Sequence, residues 1–290
     1  MMLRWLGLLA ILATAGTPKA LAQKLTFSVS AEEVRIDVLA TDKGKPISGL
    51  RAADFEVLDN GVRQEVRYVA LQKQIPVSAI LVFDMSSSVG GDLLNPLKAA
   101  AGAFLSDLGS EDHAALITFG NAVALAMPPS RDLASVRRAL EGTRPSGNSS
   151  LIDGSFAALV LSESRPDPPL IIIFSDGRDT FSWLTSDVVM ETAKRIDAVV
   201  YAASPDRHSD KTFLKDLTRL TGGSLFEIES AKKFDAVFLG ILDEFRQRYV
   251  LTYVPRGVSE SGWHAVDVRV NHRSAKIRAR PGYMRVPSGQ

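Results

Sequence analysis

The sequence predicts an α/β protein: a doubly wound, mostly parallel sheet inserted in a small β-sandwich built from strands at the two ends of the chain. Three observations carry this. Short and almost wholly apolar runs, 77–83 and 170–174, alternate with segments of helical period, as buried parallel strands and their crossover helices do. On either side of that region the period drops to two, with Val34, Ile36 and Val38 at one end and Val266, Val268 and Val270 at the other. Neither flank offers enough strands to bury a core alone.

The 290 residues are 46% hydrophobic and 23% charged, an ordinary globular composition. Residues 1–22 read as a signal peptide, with Arg4 as the positive segment, 5–15 as a short apolar core and Ala20-Leu21-Ala22 as the cleavage site. Cleavage after Ala22 starts the exported chain at Gln23 and makes the protein secreted or periplasmic. Losing Arg4 and Lys19 with the leader turns 34 basic residues against 33 acidic into 32 against 33, a balance that argues against nucleic-acid binding. No later apolar run reaches membrane-spanning length, so the exported chain is expected to lack a transmembrane segment. There is no cysteine, hence no disulfide framework and no thiolate metal site.

In order, 23–75 form a β module. A strand at 27–42 is followed by the Lys43-Gly44-Lys45-Pro46 turn, a strand at 54–58 and a hairpin turn at Asn60-Gly61. A returning strand at 63–71 carries Val66, Tyr68 and Ala70 in alternation. The α/β unit covers 76–247. Its expected helices are 92–108 (with Pro96 in the first turn), 133–140, one entered from Ser149-Ser150, 185–197, 210–220 and one capped by Ser230. Its expected strands are 77–83, 114–119, an edge strand at 122–127 ended by Pro128-Pro129, 170–174, 198–202 and 225–228. Residues 248–290 return to strands at 249–253, 263–270 and 275–280. The last points Lys276, Arg278 and Arg280 outward.

The central strand stops at Asp84-Met85-Ser86-Ser87-Ser88. Asp84, Ser86 and Ser88, at alternate positions of a loop, present one carboxylate and two hydroxyls in one direction, hard ligands suited to Mg²⁺ or another oxygen-seeking dication. The strand at 170–174 also runs into a polar loop, Ser175-Asp176-Gly177, and parallel strands bring both endings to one edge. The Ser149-Ser150 loop opens toward the same edge.

Asp84-Met85-Ser86-Ser87-Ser88 resembles the D-x-S-x-S motif of the von Willebrand factor type A domain, and residues 77–247 are similar to that fold throughout. The resemblance implies a metal-ion-dependent adhesion site. Ser149, in Gly147-Asn148-Ser149-Ser150-Leu151, takes the place of the family's threonine as fourth ligand, and Asp176 is the fifth, often acting through a water. It implies Mg²⁺, with Mn²⁺ or Ca²⁺ as alternatives, and a protein partner that supplies an Asp or Glu. It also implies a last helix able to shift when the site is engaged. The Asp54–Gly61 hairpin and the tail near Arg280-Pro281-Gly282-Tyr283 are similar to secreted bacterial proteins that carry such a domain.

The expected function is therefore an exported, metal-dependent, adhesion-type binding module and not an enzyme. Alternatives are a structural envelope protein without metal, in which the serines merely cap the next helix, and a metal-dependent hydrolase. The latter lacks a nucleophile elbow, a Walker loop or a zinc-protease motif. The basic strands between Arg269 and Arg285 are a candidate for weak contact with an anionic surface, against the plainer expectation of a solvated strand face.

Overall fold

The computed structural model describes residues 33–163, 169–206, 210–272 and 274–286. The leader and its cleavage site lie outside the described residues, as does the start of the first expected strand. The chain opens with β1 (Val34–Asp42), β2 (Lys45–Pro46), β3 (Phe55–Asp59), β4 (Val62–Gln64) and β5 (Tyr68–Leu71). Asn60 and Gly61, at φ 47° and 81°, form the tight hairpin turn between β3 and β4, the backbone for which Asn-Gly is favoured. The single strand expected at 63–71 is divided. Gln64 turns inward and its amide exchanges hydrogen bonds with Arg256, after which β5 joins a different sheet from β4. Alternation continues through such a crossover, so period alone did not reveal it.

The α/β unit follows: β6 (Ser78–Asp84), α1 (Leu94–Asp107), β7 (His113–Phe119), β8 (Val123–Ser130), α2 (Leu133–Gly142), α3 (Leu151–Glu163), β9 (Pro169–Phe174), α4 (Ser186–Ala193), β10 (Val199–Pro205), α5 (Thr212–Leu220), β11 (Leu225–Ile228) and α6 (Phe234–Arg246). The sheet runs β11-β10-β9-β6-β7-β8, parallel except for β8. The wholly buried β6 shows why its sequence is apolar on both sides. Ala79, Leu81 and Phe83 enter one core with α1, α2 and α6, while Ile80 and Val82 enter the other with α3, α4 and α5. Phe83 meets Phe238 edge-on at 6.0 Å, one of the contacts that seat α6.

Three expected boundaries move. β8 continues through Pro128 and Pro129, because its outer edge has no partner strand to miss the two N–H groups, and irregular register absorbs the strain. A 3₁₀ turn at Ala231–Lys233 precedes α6, and the Ser230 side chain makes no capping bond. α4 stops at Ala193, short of 197, and the carbonyls that follow it are capped by donors from elsewhere in the chain. Lys194 O accepts from Arg280 Nη2 and Met284 N, Ile196 O from Arg280 Nη1, and Asp197 O from Arg35 Nη2.

The chain closes with β12 (Tyr249–Tyr253), β13 (Gly262–Val270), β14 (Ala275–Arg278) and β15 (Gly282–Arg285). Strands from the two ends interleave. β14-β1-β12-β5, with β2 beside β1, face β15-β13-β3-β4. Ile36, Val38, Phe55, Val57, Tyr249, Leu251, Tyr253 and Val268 fill the space between. Asp59, just before the hairpin turn, is buried among three polar partners. It accepts from the hydroxyls of Tyr253 (2.9 Å) and Tyr283 (2.8 Å) and lies 2.7 Å from His264 Nδ1. Burial first, then the neighbouring phenol and carboxylate, hold the Tyr253 hydroxyl well above its ordinary range, so it remains a donor.

The basic strand expected to face outward turns two of its three cations inward. Arg280 is 7% exposed and pairs with Asp197 of the α/β unit at 2.6 Å. Arg278 pairs with Glu244 of α6. Lys276 alone of the three points to solvent. Between α6 and β12, fully buried Arg248 donates to Tyr201 OH (3.1 Å), Asp37 O (3.0 Å) and Gly222 O (2.8 Å), bracing sheet, loop and sandwich together. Arg248→Ala should therefore leave several buried acceptors unmet and lower stability by about 3 kcal/mol in urea unfolding. Arg248→Lys should restore only part of this, since one ammonium cannot span the fork.

Candidate metal site

The site is built where β6, β7 and β9 end together. Register pairs Phe83 with Phe174 and Asp84 with Phe119, so the loops after all three strands leave the sheet side by side. Asp84 is the last residue of β6 and is fully buried. Its Oδ1 accepts from the backbone N–H of Ser86 at 2.8 Å, which bends the chain at the strand end. Ser86 Oγ lies 3.0 Å from Ser88 Oγ. Ser86 is buried and Ser88 faces solvent.

The second loop reaches the same carboxylate, with Ser149 Oγ donating to Asp84 Oδ2 at 3.1 Å. Its backbone is fastened to the first loop by Ser146 N to Met85 O (2.7 Å) and Ser87 N to Gly147 O (3.0 Å). Gly147 sits at φ 75° with the Asn121 side chain 2.4 Å from where a Cβ would be, so any larger residue there would push the loop away. Ser150 turns from the carboxylate and donates to Gly120 O at 2.6 Å.

From the third loop, Ser175 Oγ donates to Asp84 Oδ2 at 2.9 Å and accepts from Gly177 N at 3.1 Å. Asp176 is 3% exposed, and its Oδ1 accepts from Arg178 N at 3.1 Å. Thr180 locks the second loop to the third. Its Oγ1 accepts from Ser149 N at 3.0 Å, and the N–H groups of Thr180 and Phe181 both donate to Ser149 O at 2.9 Å.

The residues singled out from sequence, Asp84, Ser86, Ser88, Ser149 and Asp176, thus lie on three loops at one sheet edge. Ser175 lies outside that set, although its position immediately after an apolar strand and before the aspartate is a usable signal. Thr180 also lies outside it, and nothing in its local sequence marks it.

Electrostatics favour a cation here. Burial raises the Asp84 carboxyl above its usual range. The Ser86 and Ser175 hydrogen bonds pull it back, and the Asp176 charge raises it further. Among the described residues Asp84 forms no ion pair, and no group of three His, Cys, Asp or Glu side chains is arranged to hold a metal. The donor set is hydroxyls with two carboxylates. That fits a hard dication that keeps waters, and does not fit zinc in a nitrogen or sulfur cage.

Residues 79–178 match the family model of the von Willebrand factor type A domain. Among solved structures, a von Willebrand factor type A protein from Catenulispora acidiphila aligns with TM-score 0.55 and 10% identity, covering 90% of this chain and 76% of that one. Proximal thread matrix protein 1 from the mussel byssus, with its MIDAS motif occupied by zinc, aligns with TM-score 0.54 and 14% identity over 63% of this chain and 48% of its own length. An aerotolerance-related membrane protein from Bacteroides fragilis aligns with TM-score 0.50 and 13% identity, over 59% of this chain and 99% of that one. This chain spans about half of the mussel protein. At these identities the likeness is one of fold. No curated protein matches the chain.

Ser175→Ala removes a donor from Asp84 and an acceptor from Gly177 N. It should lower stability by about 1–2 kcal/mol in urea unfolding.

Proposed function

We propose that this chain, which carries a von Willebrand factor type A domain, is an exported protein-binding module that holds a divalent cation and offers it to an acidic residue of a partner. The observation that carries this is the meeting of three loops on the buried Asp84 carboxylate. Asp84, Ser86, Ser88 and Ser149 would hold the ion, and Asp176 would act on it directly or through water. Mg²⁺ suits this set, with Mn²⁺ and Ca²⁺ as alternatives. It asks for about six oxygens and gives up its waters reluctantly. Few direct negative charges leave the ion electrophilic, and an incoming Asp or Glu completes its shell.

The type A fold, which in the mussel byssus protein carries a zinc-occupied MIDAS motif, supports this assignment. So does the leader expected at 1–22, with secreted or periplasmic location as its consequence. Among the described residues no helix is long and apolar enough to cross a membrane. We divide the chain into a recognition unit at 76–247 and a base formed by 23–75 and 248–290. Arg278 and Arg280 are assigned to joining the two, not to an anionic surface. The groups around Asp84 are hydroxyls and a second carboxylate. Among the described residues, the hydrogen bonds of Asp84 come from the Ser86 amide and from serine hydroxyls, with no histidine paired to any of these serines, which favours binding over hydrolysis.

The test is thermal unfolding and calorimetry with Mg²⁺. At 100 times its dissociation constant, Mg²⁺ should stabilise the parent by about 2.7 kcal/mol. Asp84→Asn keeps the shape of the side chain and should remove that response. Equal stabilisation of the variant would refute the assignment.

A further inference from the structure

Beyond Asp176 the third loop carries two aromatic residues into solvent. Trp183 is 91% exposed and Phe181 is 45% exposed. Tryptophan is well covered on average, and an aromatic side chain free in water forgoes a large burial term. The loop is nevertheless held firmly. Trp183 N and Leu184 N donate to the two carboxylate oxygens of Asp153, each at 3.0 Å. In return the first-turn N–H groups of α3, on Ile152 and Asp153, donate to Asp179 Oδ1 (3.2 Å) and Ser182 Oγ (3.1 Å). The loop therefore serves as the N-terminal cap of α3. Through Thr180 and Phe181 it is also bonded to the backbone of Ser149. One set of bonds fixes both the hydroxyl at the cation site and the aromatic pair.

We propose that Phe181 and Trp183 are the apolar half of the partner-binding surface, and that the partner is a protein segment with a large apolar side chain close to the carboxylate it gives the ion. This rests on the function proposed above. A pre-ordered aromatic anchor beside a charged contact is the arrangement in which a few residues carry most of the binding energy. Charge narrows the occupant. The groove beside the loop, about 620 Å³, is lined by Arg178 and by Asp179, Asp187, Asp210 and Asp216. An anionic bilayer, the other surface an exposed tryptophan suits, is repelled there, whereas a segment with one acidic residue and neutral or basic flanks is accepted.

The experiment pans a library of random dodecapeptides on residues 23–290 loaded with Mg²⁺ and collects the peptides released by chelator. Recovered sequences should pair Asp or Glu with an aromatic or large aliphatic residue within about three positions, the reach of a short extended segment. Synthetic copies should bind Trp183→Ser roughly 30-fold more weakly, while its Mg²⁺-induced thermal shift equals the parent's. Equal affinity for Trp183→Ser would overturn the aromatic surface and leave the cation assignment standing. Peptides that bind Asp84→Asn as well as the parent, or a library that yields no chelator-released binder, would count against both. In a Trp263→Phe background Trp183 is the sole tryptophan of the exported chain and is excited selectively at the red edge of the absorption band. A blue shift on adding phosphatidylglycerol vesicles in chelator would assign the loop to a membrane and refute the proposal.

Discussion

A buried carboxylate at the end of the central strand organises the upper edge of this molecule. Asp84 lies where β6 leaves the hydrogen-bonded sheet, too deep for bulk water to solvate, so the surrounding loops must supply its partners. They do so from three directions, through the Ser86 amide and the Ser149 and Ser175 hydroxyls. The backbone bonds between the loops follow from that requirement. Ser87 reaches Gly147, Ser146 reaches Met85 and Thr180 reaches Ser149, each fixing one donor against another. Hydroxyls satisfy the carboxylate without neutralising it, and in this respect the site differs from the salt-bridged aspartates elsewhere in the chain.

Arginine does the corresponding work at the opposite face. Arg248, Arg278, Arg280 and Arg35 lie between the α/β unit and the sandwich, and most of their bonds go to carbonyl oxygens left over at helix and strand ends. The planar, multiply donating guanidinium suits that task better than an ammonium. The same bonds cap the carbonyls that follow α4 and explain why the C-terminal strands do not present a free basic face.

Much of the fold was legible in sequence because its signals are local. Continuous apolarity marks β6 and β9, helical period marks α1 and α6, and the Asn60-Gly61 pair marks its turn. Parallel strands that stop at polar loops were enough to place Asp84, Ser149 and Asp176 on one edge. What escaped is decided at a distance. The division of 63–71 between two sheets depends on Gln64 finding Arg256, and the inward turn of Arg280 on Asp197. Ser175 was missed for another reason: its role lies in a side chain that points back at the neighbouring strand, and a motif read forward along the chain assigns it to none of its own positions.

The junction after α6 limits how the α/β unit can move. Only Gln247 and Arg248 separate the helix from β12, which is paired on both sides within its sheet. Sliding the helix along its axis drags β12 with it, and a slip of a single residue would exchange Tyr249, Leu251 and Tyr253 for the side chains on the opposite face. In this molecule the sandwich acts as a doorstop: travel of α6 along its axis is coupled to the unzipping of two strand pairs.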